Sequence, residues 1–115
     1  MQSHHSFAIQ AEQKDCAILF AALGDETRLR IVSRLCNDGP MSITHLGAGF
    51  NITRQAVSKH LRVLEEAGLL HSTRQGRESV WQLDQKRLEE AQFYLGLIST
   101  QWDNALSRLR AFVED

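Results

Sequence analysis

Eight apolar residues near the end of the chain, Leu88, Ala91, Leu95, Ile98, Trp102, Ala105, Leu109 and Phe112, follow one another at alternating steps of three and four. That spacing keeps all eight on one face of a helix, as a seam of coiled-coil type. Tyr94, Leu97, Leu106 and Val113 widen the stripe beyond what a surface helix needs. A helix over residues 85–113 is about 42 Å long at 1.5 Å per residue, longer than the body of a domain of this size. Part of its apolar face must therefore be covered from outside the protomer. The spacing predicts a symmetric pair in which this helix packs on its twin through the eight seam residues, with the apolar first helix beside it. The alternative is a long helix folded back on its own domain.

The rest of the chain is divided by capping and breaking signals. Residues 1–11 have no clear period and are predicted to form a mobile arm; His4 and His5 read as solvated terminal residues rather than a metal-binding tip. Cys16, Ala17, Leu19, Phe20, Ala21 and Leu23 mark a first helix over about 12–23, closed by Gly24. Asp25 can cap a second helix carrying Leu29, Ile31, Val32 and Leu35, which Asn37-Asp38-Gly39-Pro40 ends. Ser42 is a suitable cap for a short third helix.

Residues 43–68 are the most specific stretch. Leu46, Phe50, Ile52, Val57, Leu61 and Leu64 form an apolar edge that fixes a short helix against a longer one. Asn51 falls in the turn between them, where a left-handed backbone is expected and Asn tolerates it best after Gly. Thr53 suits the N-cap of the longer helix and Gly68 the position past its end. Thr53, Arg54, Gln55, Ser58, Lys59 and Arg62 are left on the outer edge. Helix, tight turn and a second helix with donors and positive charge outward is the build of a helix-turn-helix, whose second helix enters the major groove of double-stranded DNA. About 14 residues span roughly 21 Å, enough to lie along that groove.

Beyond Gly68 the pattern changes to Leu69–Arg74, then Gln75-Gly76, then Arg77–Leu83, which predicts a β-hairpin with Gly76 supplying the positive φ of its loop. Arg74 and Arg77 flank the tip. Attached to a helix-turn-helix, such a ribbon is a wing that places arginines on the backbone or in the minor groove. The fold predicted is mainly α with a small β-hairpin, a winged helix-turn-helix in one domain over 1–115, ordered α1-α2-α3-α4-hairpin-α5.

The net charge of −1 hides an uneven distribution. Between Arg28 and Arg77 eight Lys or Arg stand against three acids, +5, whereas the two ends sum to −6. A pair joined through its ends would present two basic centres. No apolar run approaches the roughly 20 residues needed to cross a bilayer, and no basic-then-apolar leader is seen at the start. Cys16 and Cys36 lack a CxxC spacing and are read as small core residues of a cytoplasmic protein rather than a redox pair. No nucleophile with a neighbouring base, phosphate-binding glycine loop or paired carboxylates point to an enzyme.

Two segments resemble a known family. Leu23-Gly24-Asp25-Glu26-Thr27-Arg28-Leu29-Arg30-Ile31-Val32 is similar to the second-helix signature of ArsR/SmtB-type regulators, and Ser58-Lys59-His60-Leu61-Arg62-Val63-Leu64-Glu65-Glu66-Ala67-Gly68-Leu69 to their recognition-helix signature. The hairpin with Gly76 between two arginines resembles their wing, and the likeness spans residues 15–112. It implies a dimeric winged-helix repressor on an inverted-repeat operator, with Thr53, Arg54, Gln55, Ser58, Lys59 and Arg62 on the DNA and Arg74 and Arg77 on the wing. A winged-helix module that binds protein instead is the other class of function.

The chain departs from the family's metal sensors. Where these often carry Cys-x-Cys in the third helix it has Ser42-Ile43-Thr44-His45-Leu46-Gly47, and residues 85–113 contain neither His nor Cys. Zinc needs about four N, S or O ligands held together. No metal site and no cofactor are therefore predicted, with a metal- or thiol-responsive repressor of unusual site as the alternative. An unidentified small-molecule inducer is left open, with Trp102, Tyr94, Phe20 and Phe7 as candidates to line its pocket. His45 is read as solvated or locally bonded as readily as DNA-facing, His60 as a packed core histidine rather than a reader of bases, and His71 is given no role.

Overall fold

The computed structural model describes residues 14–114. The predicted arm and Phe7, His4 and His5 lie outside them. Residues 14–23 are helical (α1), followed by α2 (Glu26–Asp38), a two-residue strand β1 (Met41–Ser42), α3 (Ile43–Gly47), α4 (Arg54–Glu66), β2 (Leu70–Gln75), β3 (Glu78–Leu83) and α5 (Gln85–Glu114).

The helix starts are where side-chain oxygens can meet otherwise orphaned N–H groups. Asp25 accepts from Arg28 N at 3.0 Å, Ser42 from His45 N at 3.3 Å, Thr53 from Ala56 N at 3.1 Å and Asp84 from Arg87 N at 2.9 Å. The end of α4 is a complete Schellman motif: Gly68 N donates to Glu65 O at 2.9 Å and Leu69 N to Leu64 O at 3.0 Å. Leu64 and Leu69, fully buried, supply the apolar contact that accompanies it. Gly68 holds φ +81° there.

Leu19, Ile31, Leu46, Val57, Leu61, Leu64 and Leu69 form the centre of the core, one or more from each of α1 to α4 and from the residue before β2. Of the expected anchors, one departs. Phe50 packs partly buried against this core, but Ile52 is 39% exposed at the outer edge. The turn also bends elsewhere than expected: Gly49 takes the left-handed conformation at φ +91°, and no described non-glycine residue, Asn51 included, has positive φ. Gly gives that conformation without a Cβ clash, so Asn51 is spared it.

The hairpin extends to a three-stranded antiparallel sheet in the order β1-β3-β2, with Met41 opposite Trp81 and Ser42 opposite Val80. A two-residue strand has no alternation to read, so sequence reasoning missed β1. Gln75 pairs with Glu78, making the loop Gly76-Arg77 rather than Gln75-Gly76. Gly at the first central position with φ +65° and a following residue at negative φ suits a type II′ turn.

α5 has 30 residues, about 45 Å of helix. Its first half belongs to the body: Ala91 is buried, and Leu88 packs against the core. From Ser99 to Glu114 every residue is exposed. The molecule measures 63 × 38 × 21 Å with a radius of gyration of 18.3 Å, against about 13 Å for a compact chain of this length. The excess reflects residues 99–114 of α5, which project from the body as an arm. No described helix is long and apolar enough to cross a membrane.

Candidate nucleic-acid interface

α4 presents its outer face through residues spaced by three and four. Arg54, Gln55, Lys59 and Arg62 are exposed, Ser58 is half-buried, and the five line one shallow cleft of about 490 Å³. Thr53 is exposed beside them, its hydroxyl oxygen engaged as the cap and its proton left to donate outward. On the wing Arg77 occupies the turn, while Arg74 stands opposite Ser79 one pair further down the hairpin. A groove of about 450 Å³ joins the two parts, with Arg54 and Ser58 on one bank, Arg77, Glu78 and Ser79 on the other, and Thr44 of α3 at its side. Arg74 does not line it. Thr44, Glu78 and Ser79 were not singled out from the sequence, because their place in the groove depends on how the hairpin folds back beside α4.

The positive charge is more sharply placed than the sequence sum suggested. Arg34 donates to the carbonyls of Leu46 and Ala48, closing the C-terminal end of α3, and lies 5.9 Å from the Phe50 ring. Arg28 donates through Nε to the Ala22 carbonyl and reaches His60 Nδ1 at 3.4 Å. Arg30 stacks over Phe50 at 4.9 Å. Those three work within the protein. Arg54, Lys59, Arg62, Arg74 and Arg77 are exposed, and none is in an ion pair among the described residues. Arg54, Lys59, Arg62 and Arg77 line two adjoining clefts, a surface suited to phosphates and base edges, with Arg74 further along the hairpin.

His60, although on α4, points to the body, 3.9 Å from Asp25 and half-buried. The Asp25 carboxyl is held below its ordinary range, first by the Arg28 backbone N–H it accepts, with the Arg28 and His60 charges adding to it. His45 is exposed on α3, and His71 meets Gln82 at 3.3 Å across the hairpin.

The seam residues divide. Ala91 and Leu88 are used inside the protomer and Ile98 is half-buried, whereas Leu95, Trp102, Ala105, Leu109 and Phe112 are exposed. Leu106 and Val113 join them at 47% and 76% exposure. Of the aromatic pocket, Phe20 and Tyr94 do meet, ring centroids 6.0 Å apart, but Trp102 is 68% exposed on the arm. A cleft of about 360 Å³ between α1 and α5 is lined instead by Asp15, Cys16, Glu89, Glu90, Phe93 and Tyr94. Cys16 is buried as expected; Cys36 is exposed on the outer side of α2, not in the core. Among the described residues no group of three or more His, Cys, Asp or Glu is placed to hold a metal.

Residues 23–73 match the family model of a helix-turn-helix domain. The uncharacterised HTH-type transcriptional regulator YuzN of Bacillus subtilis (strain 168) is 41% identical over 68 residues, 54% of this chain and 74% of that protein. The arsenical resistance operon repressor of the same organism is 32% identical over 69 residues, 60% of this chain and 66% of that protein. The solved structure of an ArsR-like transcriptional regulator from Rhodococcus sp. RHA1 superposes with a TM-score of 0.71 at 32% identity, covering 87% of this chain and 93% of that one.

The chain belongs to the ArsR-type helix-turn-helix regulators. Like the family, this ArsR-type protein is a DNA-binding transcriptional regulator of winged helix-turn-helix fold, and the family is one of regulators, not enzymes. In it α4 is the recognition helix and the β2–β3 hairpin the wing.

Proposed function

We propose that this ArsR-type regulator is a cytoplasmic repressor that binds an inverted-repeat operator as a homodimer and does so without a metal ion. The observation that carries the reading is the recognition-helix edge, where Arg54, Gln55, Lys59 and Arg62 stand exposed with no ion pair among the described residues. A module that only binds protein does not require basic and hydrogen-bonding side chains together on this edge, whereas base and phosphate recognition does. Pairing is supported by the arm, whose Trp102, Leu109 and Phe112 are each more than half exposed in the isolated protomer. Repression follows the arsenical resistance repressor by likeness. Action without metal is supported by the donor set: α3 carries one His and no Cys, and α5 neither.

Arg54 and Gln55 are placed to read base edges, and the remaining cations to grip phosphates. The test is a binding titration on a duplex that the wild-type protein enriches from genomic fragments. Arg54→Ala with Gln55→Ala is expected to lower discrimination between that duplex and a scrambled one at least tenfold, with the dimer intact. Unchanged discrimination refutes the assignment of these contacts. Repeating the titration with chelator and with added zinc is expected to move the affinity less than twofold; a tenfold change refutes metal independence.

A further inference from the structure

Arg87, in the first turn of α5, is the most heavily engaged cation of the described residues and has no part in the reading edge. Its Nε donates to the Ala67 carbonyl at 3.1 Å, at the C-cap of the recognition helix. Its Nη2 donates to the Asp15 carbonyl of α1 at 2.9 Å, and its Nη1 to Glu90 at 2.9 Å. The side chain is only 16% exposed. Its stem runs against Gly68, where a Cβ would stand 3.2 Å from Arg87 Nε and 3.5 Å from Cδ. Among the described residues no other side chain of α5 hydrogen-bonds to the recognition helix or its cap.

We infer that Arg87 is a positioning residue that sets the angle between the α5 arm and the recognition helix, and through it the half-site spacing the dimer accepts. The inference rests on the dimeric DNA-binding reading above. A guanidinium is a planar fork of five donors, so bonding carbonyls of two different helices fixes their relative direction as well as their distance. Lysine offers a point charge with no fixed plane. The lever is long: the 13 residues of α4 place its reading end about 20 Å from Ala67. A tilt of about 10° there displaces that end by roughly 3.5 Å, the rise of one base pair. Holding two reading heads to one base-pair register therefore needs a joint stiff to a few degrees; Arg87 ties α5 to the ends of both α4 and α1, and Glu90 on its own helix steadies the guanidinium.

The experiment uses the full chain and the duplex enriched by the wild type, together with versions whose half-site separation is changed by −1 and +1 base pair. Wild type is expected to lose at least tenfold in affinity on either altered duplex. Arg87→Gln is expected to cut that penalty to threefold or less while the protein remains dimeric. Arg87→Lys, which keeps the charge and stem, is expected to flatten the preference as well, and serves alone if the glutamine variant does not fold. Spin labels at position 55 of both protomers, in a Cys36→Ser background, should give a narrow distance distribution for wild type and a broad one for either variant. Retention of the wild-type spacing penalty and narrow distribution overturns the role of Arg87, even with a lowered melting temperature. A wild type that neither dimerises nor binds DNA overturns the underlying reading instead, and this inference with it.

Discussion

The Thr53 hydroxyl satisfies one N–H at the start of the recognition helix and stands on its exposed outer edge, so capping and the proposed DNA contact separate by substitution. Thr53→Ala removes the cap and is expected to cost about 1 kcal/mol, read as a melting temperature several degrees lower. Thr53→Ser keeps the cap and should recover most of it. Asp25 caps α2 in the same way, and its lowered pKa fixes the sign of its pH dependence. A carboxyl with a folded pKa below its unfolded value of about 4 contributes stability above that value and loses it as pH falls through the folded one. In denaturant melts, the gap between wild type and Asp25→Asn should shrink as the pH falls below about 4. A gap that stays constant to pH 2 refutes the linkage. At this scale the caps were legible because they depend on one residue and its neighbours. The roles of Arg28 and Arg34 were not. Both sit among exposed-looking helix positions, and only the packing of α2 against its neighbours turns them inward.

Among the elements, the outer half of α5 carries the sharpest test. Residues 99–114 make no use of their apolar stripe within the protomer, so Leu109→Asp with Phe112→Asp touches nothing in the core. The double variant should keep the helical spectrum of the head and sediment as a monomer, at protein concentrations where wild type is a dimer. A dimer that persists refutes pairing through this arm. The periodicity of α5 read correctly over its whole length because steps of three and four report face, not burial. It did not tell which part of the face the protomer already uses, and so Leu88 and Ala91 were grouped with residues that stand free. The turn before α4 shows the opposite weakness. Asn51 and Gly49 both tolerate a left-handed backbone, and only the path from α3 to α4 selects the glycine.

For the whole molecule, charge placement matters more than net charge. Each protomer offers five cations outside any ion pair among the described residues. With Arg54 on base edges and the other four cations of each protomer of the proposed dimer on phosphates, the logarithm of affinity falls against the logarithm of salt with a slope approaching about −7, at roughly 0.9 per phosphate. Arg74 lies outside the groove shared by α4 and the wing, so Arg74→Ala should reduce that slope less than Arg77→Ala does. Equal losses would mean that the wing meets DNA along its length rather than at its turn. The general layout was legible from the sequence because every element but the two-residue β1 announces itself locally. The groove between wing and recognition helix was not, since Thr44, Glu78 and Ser79 come together only through tertiary folding.

The body closes its own core before the arm begins, as the buried residues end at Ala91. If the proposed pairing through this arm holds, choice of mate and choice of operator are written on separate stretches of chain. Substitutions along residues 99–114 would then change which copies associate while leaving the reading head folded.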